Sequence, residues 1–433
     1  MSKQKLILIS HDAMVYEDLQ RLSQHPDVAY LLENGSTIKG LRTVYPSITY
    51  PVHSTIVTGA YPEKHGVWHN EIVTVGANKD VPWNWEAKSN KCYSIFQAAK
   101  EAGLTTAAVF WPVTGNHPYV DYLIPEYLPH GDETLAEGFR KMGSSEQVIK
   151  EIVEPNLPMV EGKLGHPYVD EFIIQCACDI VRKYNPDVIL IHPAAVDNCR
   201  HKNGVFSEVL NDILDYSAKW TSMLMDAARS NGPLEDVNFV IMSDHGQVDL
   251  DGVMNLNAFL RDKGLITVNE AGEITDYVCW MRSTGVTAQF FLKNPDNEED
   301  YARSLAALRE MQAMPELGIK HVYTTRQIKD MEHLDGPFSF VIEGTGPIAY
   351  GNSWTGKLKQ EFDLSDFRTG LATHGHHPDM GPQPIFVACG PAFKKGETVD
   401  RSKMVNIGPT LCKALGIGAL KDADGTPVEE ILK

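Results

Sequence analysis

Short apolar segments, each followed by an acid or a histidine, constrain the fold more than any other feature of this sequence. Residues 5–10, 188–192 and 238–243 form three such segments, and long stretches with helical spacing lie between them. Continuous apolar runs of this length are typical of buried parallel strands. Strands that alternate with helices favour a right-handed parallel sheet with helices on both faces. The sequence therefore predicts a doubly wound, mostly parallel α/β fold.

Polar side chains follow these predicted strands at their carboxyl ends, and they are carboxylates and imidazoles: Asp12, Asp197 with His201, and Asp244-His245, with His374 at a fourth position. Open α/β sheets place their active sites at this edge, so we expect these groups to converge. Carboxylates and imidazoles suit zinc, and the set provides three protein ligands for each of two ions. Taken singly, each has a plainer interpretation as a helix N-cap, a surface pair or a polar loop.

The stretch 46–70 supplies a candidate nucleophile. A helix should begin near Pro51, which places Thr49 at or just before its N-terminus, where free N–H groups and the helix dipole favour an anion such as phosphate. The alternative is that Thr49 is only an N-cap. Two metal ions about 3.5–4 Å apart can clamp an in-line phosphoryl displacement, and metal coordination can activate a threonine hydroxyl.

The pattern changes in the second half of the chain. Residues 252–367 resemble a small α+β insertion, a cap over the site, whereas residues 1–251 and 368–433 are expected to form the catalytic core. The segment 112–158 is rich in Pro, Tyr, His and Gly, and we expect it to be a substrate-facing excursion rather than core. Residues 43–45 are expected to form a short strand that leads to Thr49.

Composition excludes several classes of partner. The 433 residues carry a formal net charge of −18, which argues against binding of a nucleic-acid polymer or an anionic membrane. A phosphate-bearing small molecule remains compatible, because bound cations reverse the local charge. We find no run of 18 apolar residues and no signal peptide, and the seven cysteines are scattered, so we expect a cytoplasmic protein with reduced thiols.

Several motifs together resemble the alkaline phosphatase superfamily, and within it the nucleotide pyrophosphatase/phosphodiesterase family. They follow the family's order along most of the chain, and the segments 112–158 and 252–367 match least. The motifs are Thr49-Tyr50-Pro51 through Thr58-Gly59, Tyr61-Pro62, His65-Gly66 and Asn70, then Asp197, His201 and Gly204, Ser243-Asp244-His245-Gly246, His374-Gly375, and Asn406-Ile407-Gly408-Pro409-Thr410.

The resemblance implies an alkaline phosphatase-like fold and a two-zinc hydrolase of phosphodiester or pyrophosphate bonds, with nucleotides or their derivatives as substrates. It implies one zinc ion held by Asp197, His201 and His374, and another held by Asp12, Asp244 and His245 that activates Thr49. Thr49 would form a covalent phosphothreonine-type intermediate. Asn70 would donate a hydrogen bond to a phosphate oxygen, and Tyr50 would stack on a base unless it only packs.

Several alternatives stay open. After His374-Gly375 the continuation His376-His377-Pro378 departs from the family pattern, so His376 is a second candidate ligand. Arg200 stands where glycine is frequent, and it either contacts phosphate or is solvated. A phosphonoacetate hydrolase or phosphomonoesterase of the same superfamily is the nearest alternative function. A non-catalytic nucleotide-binding protein is a third, other divalent metals could replace zinc, and the oligomeric state is open.

Overall fold

An eight-stranded sheet forms the centre of the protein. The computed structural model describes residues 4–77 and 81–433. Five of the seven strand pairings are parallel, and Phe386–Cys389 runs antiparallel to both of its neighbours. From one edge to the other the strands are Thr398–Val399, Ser36–Ile38, Phe386–Cys389, Val237–Met242, Lys5–Ser10, Val188–Ile191, Thr106–Val109 and Tyr122–Ile124. The prediction of a mostly parallel sheet is therefore confirmed.

Helices cover both faces of this sheet, because alternate residues of a strand point to opposite faces. Ile7 and Ile9 pack with one group of helices, which includes Tyr168–Tyr184 and Leu210–Arg229. Leu6 and Leu8 pack on the other face with helices that include Thr49–Thr58 and Ile407–Leu415. The other helices are Leu19–Leu22, Pro26–Asn34, Pro62–His65, Ile95–Glu101, Leu135–Lys141, Glu146–Val148, Glu154–Asn156, Ala195–Asn203, Leu256–Asp262, Glu298–Gln312 and Thr325–Glu332.

The region 252–367 contains a second sheet with a core of its own. Four antiparallel strands occur in the order Cys279–Ser283, Thr287–Leu292, Phe340–Gly344 and Ile319–Thr324. Their apolar side chains pack with helices Leu256–Asp262 and Glu298–Gln312. The remaining short strands are Leu41–Arg42, Val248–Asp249, Gly252–Met254, Ile266–Val268, Ile274–Tyr277, Ile348–Tyr350, Lys359–Gln360, Ala372–Thr373 and Ser402–Lys403.

Two local predictions were wrong. The strand expected at 43–45 lies at Leu41–Arg42 instead, where it pairs with Ser402–Lys403. The segment 112–158 is part of the core, since Tyr122–Ile124 forms an edge strand of the main sheet and Phe139 is fully buried. In the described part of the chain no helix combines the length and the apolar character needed to cross a bilayer.

Candidate active site

The strand ends of the main sheet deliver the acids and histidines to one place. Asp12 follows Lys5–Ser10, and Asp244 with His245 follows the neighbouring strand Val237–Met242. Ala13 has a φ of 56°, a conformation that glycine adopts more easily, and its N–H donates to Oδ1 of Asp244 over 3.1 Å. This turn therefore fixes the two carboxylates relative to each other.

Asp12, Asp244 and His245 form the first candidate metal-binding group, with one ligand atom of each within 4.8 Å of the others. Nε2 of His245 lies 3.2 Å from Oδ2 of Asp244 and 3.5 Å from Oδ1 of Asp12. The Thr49 hydroxyl lies 3.3 Å from the same Nε2. The candidate nucleophile therefore borders this group directly.

Asp197, His201 and His374 form the second group. Asp197 and His201 lie four residues apart on helix Ala195–Asn203, so both point to the same side, and Nε2 of His201 is 3.0 Å from Oδ2 of Asp197. Nδ1 of His201 donates to the carbonyl of Ala372 over 2.8 Å, which leaves Nε2 free as a ligand atom. His376 is also buried, but it lies outside both groups.

The two groups adjoin, because the rings of His245 and His374 are 4.5 Å apart. Three carboxylates share this buried space, and burial together with the Asp244 and Asp197 charges raises the pKa of Asp12 well above its usual value. Oδ1 of Asp12, Oδ2 of Asp244 and Nε2 of His201 are buried without hydrogen-bond partners in the described chain. Such atoms require compensation, and this donor set fits two divalent cations.

Thr49 is the first residue of helix Thr49–Thr58, at the helix N-terminus as the sequence predicted, and the helix begins two residues before Pro51. Ile48 occupies the N-cap position, so the Thr49 side chain does not cap the helix. The N–H of Tyr50 donates to Oδ1 of Asn70 over 2.9 Å. Because that oxygen accepts a bond, the Asn70 amide nitrogen is left to donate elsewhere.

Tyr50 is fully buried and packs edge-on against Trp83, with ring centroids 5.2 Å apart. This arrangement agrees with the packing alternative for Tyr50. Half-buried rings lie beside it, since Trp83 is 5.8 Å from Phe367, and Phe367 in turn stacks on His374 at 5.6 Å. The aromatic rings around Tyr50 therefore extend to the second candidate metal-binding group.

Three buried residues near the ligands escaped the sequence analysis. Nε2 of Gln247 donates to Oδ1 of Asp197 over 2.5 Å. Nε2 of His192 lies 3.4 Å from Oδ2 of Asp12, and Nδ1 of His53 lies 3.6 Å from Oδ2 of Asp244. His192 stands at a strand end like the predicted ligands, and Gln247 follows the Asp244-His245 motif directly, so their positions were the available signal.

Arg200 neither contacts the ligand groups nor reaches solvent, in contrast to both readings of the sequence. It is fully buried, and its guanidinium donates to both carboxylate oxygens of Asp18 over 2.7 and 2.9 Å and to the carbonyl of Ala13. Arg200 therefore ties the helix of Asp197 to the turn that follows Asp12.

A second buried ion cluster lies next to Asn70. Glu71 accepts hydrogen bonds from Arg282, in the second sheet, and from Arg368. Arg368 also donates to Asp366 over 3.0 Å. Glu71 directly follows Asn70 in the sequence. The cluster therefore ties the loop that carries Asn70, here called the Asn70 loop, to the second sheet through Arg282 and to residues 366–368 through Arg368.

Comparison with known proteins decides the family. The family model described as type I phosphodiesterase / nucleotide pyrophosphatase matches residues 6–343. The chain belongs to this family. The resemblance seen in the sequence motifs is thereby confirmed.

Relatives and solved structures agree with this assignment. The chain is 24% identical to rat ectonucleotide pyrophosphatase/phosphodiesterase family member 1 over 399 residues, 90% of this chain and 38% of that protein. It is 23% identical to mouse family member 7 over 446 residues, 98% of this chain and 85% of that protein. The chain spans only about two fifths of the first curated relatives it matches, 38% and 42%.

Two murine structures of ectonucleotide pyrophosphatase/phosphodiesterase 5 have the same fold. One has a TM-score of 0.70 at 20% identity, over 99% of this chain and 100% of that one. The other, an inactive threonine-to-alanine variant in complex with AMP, has a TM-score of 0.69 at 20% identity and covers both chains completely. The alkaline phosphatase-like fold is therefore confirmed.

Proposed function

We propose that the protein hydrolyses phosphodiester or pyrophosphate bonds, in nucleotides or their derivatives, through a covalent intermediate on Thr49. One observation carries the proposal: the Thr49 hydroxyl lies 3.3 Å from His245, at the border of two adjoining groups of buried carboxylates and imidazoles. The inactive threonine-to-alanine relative that binds AMP supports both the nucleophile and the substrate class.

The residues fit two zinc ions, one held by Asp12, Asp244 and His245 and the other by Asp197, His201 and His374. Bound zinc would promote ionisation of the Thr49 hydroxyl and of a water molecule, and it would neutralise charge on the phosphoryl oxygens. Gln247 donates to Asp197 from outside the group, an arrangement that typically fixes ligand orientation. His192 and His53 lie 3.4 Å from Asp12 and 3.6 Å from Asp244.

In the proposed reaction, Thr49 is the nucleophile and Asn70 is a hydrogen-bond donor. The Thr49 oxygen attacks phosphorus and forms a new P–O bond, its hydroxyl proton passes to solvent, and the leaving oxygen departs with the electron pair of the broken P–O bond. Water then attacks the same phosphorus, and the bond to Thr49 breaks to restore the hydroxyl. The amide nitrogen of Asn70 would donate to a phosphoryl oxygen as charge builds up there.

Substitution of Thr49 tests the nucleophile. We expect Thr49→Ala to lower turnover of bis(p-nitrophenyl) phosphate by at least about 10³-fold, the scale on which a covalent nucleophile is lost. Thr49→Ser, which keeps a hydroxyl, serves as the matched control and should retain measurable turnover with a phosphorylated enzyme detectable by mass spectrometry. Near wild-type activity in Thr49→Ala would refute the covalent mechanism.

The preferred class of substrate distinguishes this proposal from the alternative functions of the same superfamily. Rates on a diester, a monoester and phosphonoacetate should rank the diester first, and higher rates on the other two would favour a phosphomonoesterase or a phosphonoacetate hydrolase.

We also propose that residues 1–251 and 368–433 form the catalytic core, with 252–367 as the cap insertion. Location in the cytoplasm stays a proposal that cell fractionation would test.

A further inference from the structure

Arg200 lies in the helix that carries two of the candidate ligands, yet its guanidinium contacts a different part of the site. It directly precedes His201 in helix Ala195–Asn203, and it is fully buried. Asp197 and His201 share one side of this helix, whereas Arg200 points to an adjacent side. There its guanidinium meets residues 13–18, which follow the candidate ligand Asp12. Arg200 therefore joins segments that belong to both candidate metal-binding groups.

The guanidinium bonds three separate segments at once. Its Nε donates to the carbonyl of Val205 over 3.0 Å, just after the helix, and one terminal nitrogen donates to the carbonyl of Ala13. The other terminal nitrogen donates to both carboxylate oxygens of Asp18 over 2.7 and 2.9 Å. Asp18 is itself fixed, because it accepts the N–H of Val15 over 2.8 Å. A planar guanidinium held at so many points allows little relative movement of these segments.

Ala13 connects Arg200 to the first group. Its carbonyl accepts from Arg200, and its N–H donates to Oδ1 of Asp244 over 3.1 Å. Its φ of 56° lies in the left-handed region, which costs a non-glycine residue free energy that these contacts must offset. Because Asp12 directly precedes Ala13, the position of Ala13 sets those of Asp12 and Asp244. Arg200 in turn links Ala13 to the helix of the second group.

The ion pair of Arg200 with Asp18 is not explained by stability alone. Asp18 is 3% exposed and belongs to neither ligand group, so it balances the guanidinium without using a candidate ligand. Apolar side chains of similar size often replace a buried ion pair without loss of stability. The pair instead joins two segments that carry candidate ligands, and this geometry indicates a role in positioning them.

We propose that Arg200 is a positioning residue for both candidate metal-binding groups. It holds helix Ala195–Asn203 against the turn of residues 12–18 and so fixes the spacing of the two groups. Loss of Arg200 therefore disturbs the ligand geometry of both. The inference rests on the proposed function, which requires two cations side by side. An effect on His201 alone, its neighbour in sequence, is the competing outcome.

Stepwise zinc affinities test the proposal. Arg200→Met removes the hydrogen bonds, and we expect it to weaken binding of both zinc ions by about 10–100-fold, the usual effect of losing a residue that orients ligands. A competition titration against a chelator of known affinity yields one dissociation constant for each ion. Arg282→Met is the matched control, because Arg282 is also buried and ion-paired, but with Glu71, outside both groups. It should leave both constants unchanged.

A double substitution separates positioning from stability. Arg200→Met leaves the Asp18 carboxylate buried without its partner, which lowers the free energy of unfolding. Adding Asp18→Asn removes that charge and keeps an acceptor for the Val15 N–H, so the double variant should regain part of this stability in urea denaturation without metal. Its zinc affinities should stay as low as those of Arg200→Met, because the link to Ala13 is still missing. Recovery of both affinities together with stability would show a merely structural role and overturn the inference.

Arg200→Lys keeps the test decisive if Arg200→Met does not fold. Lysine retains a charge for Asp18 but lacks the planar fork, so zinc affinity should fall at both groups, by about tenfold. Unchanged affinities in a folded variant, or weakening of one zinc ion only, would overturn the inference. If the wild type binds two zinc ions, Arg200→Met weakens both, and neither protein hydrolyses a phosphoester, the inference stands and the proposed hydrolysis falls. Wild-type diester hydrolysis with normal zinc affinities in Arg200→Met would remove the inference and leave the proposed function intact.

Discussion

Replacement of Glu71 by glutamine tests how the Asn70 loop is held in place. Glu71 is 4% exposed, and its carboxylate serves two buried arginines, Arg282 and Arg368. Glutamine keeps the shape but removes the charge, so two guanidinium groups remain in the interior, and of these Arg368 still pairs with Asp366. Loss of one partner of a buried ion pair typically costs about 3–5 kcal/mol.

The pKa of Glu71 predicts a loss of stability of similar size. Burial tends to raise it, but the arginines, Arg368 foremost, outweigh burial and lower it from 4.5 to about 2. Such a shift corresponds to about 3 kcal/mol of stability. Since the folded-state pKa is depressed, this contribution is fully present above about pH 4.5 and is lost as the pH falls towards 2. Glu71→Gln should therefore remove most of its stabilisation at pH 7 and little near pH 2.

Urea denaturation at fixed zinc concentration measures the effect. We expect Glu71→Gln to lower the free energy of unfolding by about 3 kcal/mol or more, and Glu71→Gln combined with Arg282→Met to lose less than the sum of the single changes. Glu429→Gln, which breaks a surface pair with Lys413, is the control and should cost at most about 1 kcal/mol. A loss below about 1 kcal/mol for Glu71→Gln, or strict additivity in the double variant, would refute the reasoning.

Other substitutions test the remaining parts of the site. Asn70→Ala should lower kcat on bis(p-nitrophenyl) phosphate by about 10²–10³-fold, the usual effect of losing an oxyanion donor, and a loss below tenfold would argue against that role. Gln247→Ala should weaken zinc affinity by about 10–100-fold, because Gln247 orients Asp197; unchanged affinity in a competition titration would contradict this. His374→Ala should lose one equivalent of zinc by elemental analysis while His376→Ala keeps both, and the opposite result would exchange their roles. Chelation should abolish diester hydrolysis and zinc should restore it, whereas full activity after verified metal removal would exclude metal dependence.

The main sheet was predictable because its central strands are buried on both faces. Continuous apolar runs such as 188–191 and 239–242 have few other ways to fold. Edge strands lack that signal: Tyr122–Ile124 is only three residues long, and its segment is rich in residues typical of loops. The antiparallel direction of Phe386–Cys389 was also invisible, since direction depends on the connection through 252–367 rather than on the strand's own composition.

Residues that act through long-range contacts were beyond the sequence analysis. Arg200 is hydrophilic and precedes a candidate ligand, His201, so contact with solvent or phosphate was the natural expectation. Its partner Asp18 lies 182 positions away, and nothing local marks that contact. Trp83, Glu126 and Phe367 likewise come from three separate segments and share a cavity only after folding. Sequence motifs identify side chains that follow strand ends, but they do not identify the lining of a cavity that several separate loops form.

The start of helix Thr49–Thr58 offers less to a phosphate group than its sequence suggested. Pro51 has no N–H, and the N–H of Tyr50 already donates to Asn70. Thr49 therefore retains the one first-turn N–H without a partner among the described residues. Since the helix terminus contributes so few donors, the proposed function would require charge on a phosphoryl group to be balanced mainly by the Asn70 amide and by cations held in the two candidate metal-binding groups. We therefore expect metal removal and Asn70→Ala to lower activity more than they would if the N–H groups of the helix terminus bound the phosphate.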